Sequence, residues 1–485
     1  MIFIPLLIFF ALLLALTWSP MPSQSNRWLA RYFLGERNLK GFVLAMTLVA
    51  TYGSVSSFVS GPGLAWHYGL GWVVFAAPQI ITGFFILGIL GKKLALIARA
   101  INAVTIIDVI RARYPSRVLP LVLALALLIF FTTMMVGQFI GGAQIFSQAS
   151  GLSYETGLLI FGALVVFYTT IGGFRAVALT DTVCALLMLL GMFFLGDLLL
   201  NLGGGLEAIM TALAQQENAT GQGYLLTPNA QGALPWTLLF SAWILVGFGT
   251  VALPQSAVRC MAYRSTQDLH QAMIIGTTVC GALMIGMTLL GVLAHGVIFS
   301  RDVFGANTDA LIPYLIAHKM DPMLAGVTLI GPLAATMSTV SSLLLSASSA
   351  VVKDLFLQYA PNWQNQPKRL VNLTRYSTFI LGVLALVLAL KPLDLIAWIN
   401  MFAFGGLELA FLCPLLGGVF WRRASTAGAL TSVFVGLGSY LALSVFKVDM
   451  MGFHAIVPSM ALAILTFILV SFLTSPEKDN PVFFP

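Results

Sequence analysis

The fold class predicted for this chain is an all-α polytopic membrane protein of thirteen spans, and three observations predict it. Of 485 residues, 59% are hydrophobic and 8% are charged, against roughly 25% charged in an ordinary soluble domain. Such a chain cannot cover itself with a water-facing surface. Its apolar residues also come in long runs, such as 181–202, 272–296 and 454–473. These match the ~20 residues a helix needs to cross a bilayer and exceed the ~10 of a barrel strand. Finally, the basic residues gather between alternate runs, which tests the count.

The spans fall at 2–18, 41–66, 70–91, 118–149, 156–173, 181–203, 234–258, 271–297, 323–350, 376–390, 395–420, 426–446 and 454–473. The first reads as a helix and not a signal peptide, because no basic segment precedes it and no clean small-residue cleavage site follows. With the N-terminus outside, the cytoplasm receives 19–40, 92–117, 174–180, 259–270, 351–375, 421–425 and the tail. Those segments hold twenty of the 24 Lys and Arg residues, Arg27, Arg259 and Lys478 among them; Arg301, Lys319, Lys391 and Lys447 lie outside them. One missed helix would invert every later loop, so the asymmetry supports thirteen spans and a cytoplasmic C-terminus. It also accounts for the net charge of +7 without a nucleic-acid surface.

This divides the chain into a first helix and loop (1–40), five spans (41–203), an external loop (204–233), five further spans (234–420) and two last spans with a short tail (421–485). No separate soluble domain, phosphate loop or His/Cys metal spacing interrupts it. Cys184, Cys260, Cys280 and Cys413 form no CxxC pattern, and the five histidines are scattered near loops. A membrane-embedded enzyme would need such groups clustered at one depth, so the chain reads as no enzyme. A sensor with an appended signalling domain has little room in a tail of about a dozen residues. Transport driven by an ion gradient is what the organisation suits, with no cofactor and no obligatory protein partner.

Two spans look broken. The second carries Ala50-Thr51-Tyr52-Gly53-Ser54-Val55-Ser56-Ser57 and then Ser60-Gly61-Pro62-Gly63; the seventh carries Gly247-Phe248-Gly249-Thr250 and then Pro254-Gln255-Ser256. Tight packing or a simple Pro kink would explain either segment alone. Both, however, open a five-span unit, where inverted repeats place their binding-site helices. Span nine adds Ala334-Ala335-Thr336-Met337-Ser338-Thr339 and further serines. Hydroxyls beside the bare carbonyls of a broken neighbour make a neutral oxygen cage suited to a hard monovalent cation. Serines bonding back to their own helix are the plain alternative. Acids within spans mark function by default: here Asp181, which could also cap its helix, Glu408 after Gly405-Gly406, and Asp197 near water.

At these residues a family resemblance emerges. Gly172-Gly173-Phe174-Arg175-Ala176-Val177 with Thr180-Asp181, and the segment Gly418 to Gly438 with Arg423 and Gly428-Ala429, resemble the two signatures of the sodium:solute symporter family. Cys184 stands where many relatives carry Gln. The stretches at 44–52, 68–73, 88–93, 154–162, 253–260 and 404–408 read like the bacterial branch that carries pantothenate, with His67 where Lys is usual.

The resemblance implies a LeuT-like 5+5 inverted-repeat core in spans two to eleven, in a bacterial cytoplasmic membrane, with Na+ as coupling ion. It places sodium on the carbonyls of Ala50, Gly53 and Ala335 and the hydroxyls of Ser338 and Thr339, and ties Asp181 to a second cation step. The substrate, pantothenate or else proline, another amino acid or another monocarboxylate, would lie alongside. Its candidate partners are Tyr52, Ser54, Ser56, Ser57, Gln138, Thr250 and Gln255. Arg259 reads as an orientation determinant at the cytoplasmic rim, and Trp66, Trp72, Trp236 and Trp243 as interfacial anchors.

Overall fold

The computed structural model describes residues 2–17, 28–218, 221–304, 307–391, 396–477 and 480–484. Trp18, Arg27, Lys478 and the first residue of span eleven lie outside the described residues. With no water in a bilayer core, each backbone N–H and C=O has to bond within its own segment, and helices do this wherever the sequence is apolar. They are α1 (Phe3–Thr17), α2 (Gly41–Tyr52), α3 (Ser56–Tyr68), α4 (Leu70–Ala100), α5 (Val118–Ser150), α6 (Tyr154–Leu202) and α7 (Trp236–Ala252). After these come α8 (Pro254–Cys260), α9 (Thr266–His295), α10 (Pro322–Tyr359), α11 (Lys368–Leu388), α12 (Ile396–Phe420), α13 (Thr426–Val445) and α14 (Ile456–Leu473).

Among the described residues nine helices are long and apolar enough to cross a membrane, or eleven if each of two bent pairs forms one span. The pairs are α2 with α3, bent by 68°, and α7 with α8, bent by 47°. Both bends fall in the segments the sequence marks as broken. α6 departs from expectation. Residues 174–180 form no loop but continue the helix, so α6 runs for 49 residues with one non-helical residue, Gly173, at φ 64° and ψ −179°. Side chains hardly tolerate that conformation, and glycine lets one residue do the work expected of seven.

Burial sorts the helices. The apolar stretches of α10 and α12 are 83% and 89% buried, whereas those of α13 and α14 are 33% buried. α10 packs against α2, α5, α6 and α11, so the hydroxyl-rich helix stands at the centre. Outside the bundle, a helix at Leu206–Gln215 leads into a two-stranded antiparallel ribbon pairing Glu217 with Gln222. At the other end, a short helix (Ile106–Arg113) starts with a capping box between Thr105 and Asp108. Buried Arg113 closes it, donating to the carbonyls of Gly418 (3.2 Å), Arg422 (2.9 Å) and Ala424 (3.2 Å). This one guanidinium fixes the turn between α12 and α13.

Candidate cation and substrate site

α2 ends at Tyr52 because Gly53 turns to φ −70°, ψ 97° while its N–H still donates to the Val49 carbonyl at 2.7 Å. The break leaves polar backbone without helical partners, and α10 meets it. Ser338 Oγ donates to the Ala50 carbonyl at 2.8 Å and also lies 2.8 Å from the Ala334 carbonyl and 3.2 Å from that of Ala335. Thr339 Oγ1 lies 2.9 Å from the Ala335 carbonyl and 3.4 Å from that of Thr51. Four of the five sodium candidates come from these two helices and Gly53 from the break that ends α2; Ala50, Ala335, Ser338 and Thr339 are almost fully buried. The set is neutral oxygen throughout, a chemistry that suits a hard monovalent cation.

Past the break, the Val55 N–H donates to Oε1 of Gln138 at 3.0 Å. Gln138 Nε2 in turn donates to Asn400 Oδ1 at 3.3 Å, and Asn400 Nδ2 donates to Ser56 Oγ at 2.6 Å and Ser54 Oγ at 3.2 Å. This chain of amides and hydroxyls ties α3 to α5 and α12. Beside it lies a cavity of about 70 Å³, walled by Tyr52, Ser54, Ser56 and Ser57 and by Trp72, Phe75, Gln79, Met284, Asn400 and Phe404. Trp72 and Phe75 stack at 4.4 Å, 9° from parallel, and Tyr52 faces Phe404 at 6.2 Å.

Four of the seven substrate candidates therefore reach the cavity wall and three do not. Gln138 stands one layer behind it. Thr250 Oγ1 turns back onto the Gly247 carbonyl at 2.6 Å, satisfying its own tight turn. The Gln255 carbonyl accepts from Arg259, and its side chain is buried off the wall. Sequence reasoning missed Asn400, whose one signal is a lone amide within the apolar stretch 396–403. It also misplaced two tryptophans. Trp66 and Trp72 are buried inside the bundle, Trp66 donating to the Ile298 carbonyl at 2.8 Å, while Trp236 and Trp243 are exposed as expected.

Arg259 is the largest correction. It lies not at a rim but among the largest fully buried side chains. It donates to Ser342 Oγ (2.8 Å), Thr47 Oγ1 (3.1 Å), Thr51 Oγ1 and the Gln255 carbonyl (2.5 Å), and pairs with Asp181 Oδ2 at 3.4 Å. Asp181 sits within α6, not at its start, and also accepts from Thr47 at 2.6 Å. The positive-inside count mislabelled Arg259 because its partner is 78 residues away in sequence. Asp197 is exposed and accepts from Asn201 at 3.1 Å. Glu408 is fully buried against Gly249, and among the described residues neither of its oxygens has a hydrogen-bond partner.

The profile of the sodium:solute symporter family matches residues 32–436. A sodium/pantothenate symporter of Escherichia coli is 42% identical over 470 residues, covering 96% of this chain and 95% of the relative. A sodium/proline symporter of the same species is 28% identical, covering 91% and 87%. In structure, the chain resembles a Na+-coupled sialic acid symporter solved in a substrate-bound, outward-open state, with a TM-score of 0.81 at 18% identity over 99% of both chains. It also resembles a nucleobase-cation-symport-1 family transporter in a closed conformation, with a TM-score of 0.55. By the span of the profile match and by this identity over nearly its whole length, the chain belongs to the sodium:solute symporter family.

Proposed function

We propose that this chain imports pantothenate together with Na+ by alternating access across a bacterial cytoplasmic membrane. The observation that carries the coupling is the junction of α2 with α10. Sodium held by the Ala50, Gly53 and Ala335 carbonyls and the Ser338 and Thr339 hydroxyls would join the two helices. The same break at Gly53 presents Tyr52, Ser54 and Ser56 to the cavity, so ordering one side orders the other, and the coupling is reciprocal. Identity of 42% to a pantothenate symporter against 28% to a proline symporter favours pantothenate.

Pantothenate carries a carboxylate, an amide and two hydroxyls. Ser54, Ser56, Ser57 and Asn400 offer partners to the hydroxyls and amide. The carboxylate is suited to the N–H groups opening α3, because helix N-termini favour anions. The cavity is well below the roughly 300–1,000 Å³ of pockets that bury small ligands, so binding requires the walls of α3, α4 and α12 to part. Thirteen spans follow if α1 and each half of α6 cross singly and each bent pair crosses once. The domain division 1–40, 41–203, 204–233, 234–420 and 421–485, the inverted repeat and an external N-terminus are part of the same reading.

The test is uptake of labelled pantothenate into proteoliposomes with and without an inward sodium gradient. Gradient-dependent accumulation that excess proline leaves intact is expected. Accumulation of proline instead, or uptake indifferent to sodium, would overturn the assignment.

A further inference from the structure

α12 is a wall between two cavities. Asn400, Met401 and Phe404 face the substrate cavity, whereas Trp398, Ile399 and Phe402, on the opposite side of the helix, face a crevice of about 870 Å³. α5, α11 and α13 supply its other walls through Val136, Val387, Leu388 and Tyr440. That volume falls within the roughly 300–1,000 Å³ of pockets that bury small ligands. Hydroxyls along it are turned to backbone: Thr132 and Thr133 donate to the carbonyls of Leu128 (2.7 Å) and Ile129 (3.0 Å), and Tyr440 to that of Phe402 (3.2 Å). Val387 and Leu388 are exposed, so the crevice opens on the lipid-facing side of the bundle. Lys391 lines it just past the end of α11, with Ser444 in the last turn of α13 and His454 just before α14. Lys391 is exposed, and among the described residues it forms no ion pair. An apolar shaft with a cation at its mouth suits a hydrocarbon chain that carries an anionic head. The two sides of α12 also communicate, because Trp398 meets Trp72 edge-on at 6.1 Å and Trp72 lines the substrate cavity.

We propose that this crevice binds one acyl chain of an anionic membrane phospholipid, with Lys391 holding its phosphate, and that the bound chain regulates transport by bracing the back of α12. The substrate cavity admits its ligand only when α12 parts from α3 and α4, and the crevice is the space into which α12 withdraws. A flexible chain keeps that space open and still yields to the helix, whereas a rigid filling does not yield. Lys391 favours an anionic headgroup over a zwitterionic one, whose own cation competes for the phosphate. The regulatory step rests on the reading of α12 as a moving wall of the substrate site; the lipid site itself does not.

The experiment titrates phosphatidylglycerol or phosphatidylcholine into the purified full chain in detergent and follows the melting temperature. Sodium-driven pantothenate uptake is then measured in phosphatidylcholine vesicles with and without phosphatidylglycerol. Phosphatidylglycerol is expected to raise the melting temperature saturably, at lower concentration than phosphatidylcholine, and to speed uptake. Lys391→Gln, a change at an exposed side chain, should raise the half-saturating phosphatidylglycerol concentration by about fivefold. Thr133→Trp, which fills the crevice from α5, should remove the melting response and slow uptake in both kinds of vesicle. Equal responses to the two lipids, a wild-type response in Lys391→Gln or an undiminished one in Thr133→Trp would overturn the site. A melting response without any effect on uptake would overturn the regulatory step. A disulfide-linked dimer formed in vesicles by Val387→Cys would put a second copy over the crevice and also overturn the lipid assignment. The pantothenate reading fails separately, if no vesicle accumulates pantothenate while the melting response to phosphatidylglycerol persists.

Discussion

Ser338 Oγ donates to the carbonyl of Ala50 at 2.8 Å across 288 residues of sequence. It joins the most hydroxyl-rich helix of the bundle to the last turn of a helix that stops short. Replacing Ser338 and Thr339 together by Ala removes both side-chain oxygens on the α10 side. The sodium concentration for half-maximal uptake should rise by at least about tenfold, about 1.4 kcal/mol, while protein yield and melting temperature without sodium change little. Sodium titration of uptake checks this, and an unchanged midpoint would remove these residues from the site.

Asn400 bridges Ser54, Ser56 and Gln138. Asn400→Ala breaks that bridge at the cavity wall but touches no sodium candidate. The KM for substrate is expected to rise by about tenfold, roughly 1.4 kcal/mol, with a much smaller shift in sodium dependence measured on the same preparation. Equal shifts in both would mean that Asn400 acts on the break in α2 as a whole.

At Gly249 a Cβ would collide with the Glu408 carboxyl group and come within 2.6 Å of the Ile244 carbonyl. Gly249→Ala should therefore destabilise the protein by about 1–3 kcal/mol, as overpacking does. Glu408→Ala in the same chain should recover part of that loss. Melting temperatures of the two single variants and the double variant measure the coupling, and strict additivity would show that the two do not press on each other.

Gly173 holds φ 64°, ψ −179° inside α6, a region essentially reserved for glycine. Gly173→Ala should cost about 1–3 kcal/mol and lower the melting temperature. Gly172→Ala meets a tight but milder contact with Ala176 and Thr17 and should cost less. A reversed ranking would contradict the conformation at Gly173.

The broken helices were legible because local composition betrays them. A run such as Thr51-Tyr52-Gly53-Ser54 is costly inside lipid unless other parts of the protein satisfy it. The serines of α10 were legible for the same reason. Asn400 and Arg259 were not, since a lone polar residue in an apolar run gives no sign of its partner. For Asn400 those partners are 262 and 344 residues away. The charge count that oriented the spans also swept Arg259 into a loop, because that rule weighs basic residues near span ends and is blind to a buried acid on another helix. Trp72 was misjudged similarly: aromatic residues near a span end suit an interface, yet this one folds inward to stack on Phe75. The turn in α6 was read as seven residues because a loop is the usual way to change direction, and glycine needed only one.

That single-residue joint makes the second half of α6 a lever. Asp181 lies eight residues beyond Gly173, about 12 Å along the helix axis at ~1.5 Å per residue. A pivot of about ten degrees at Gly173 would swing the Asp181 carboxylate by about 2 Å, by the same rise per residue. That travel is enough to part a contact of 3.4 Å from Arg259, with no helix melting and no loop to absorb the movement. A glycine remote from the cavity thereby sets the gearing between helix tilt and the ion pair at the centre of the bundle.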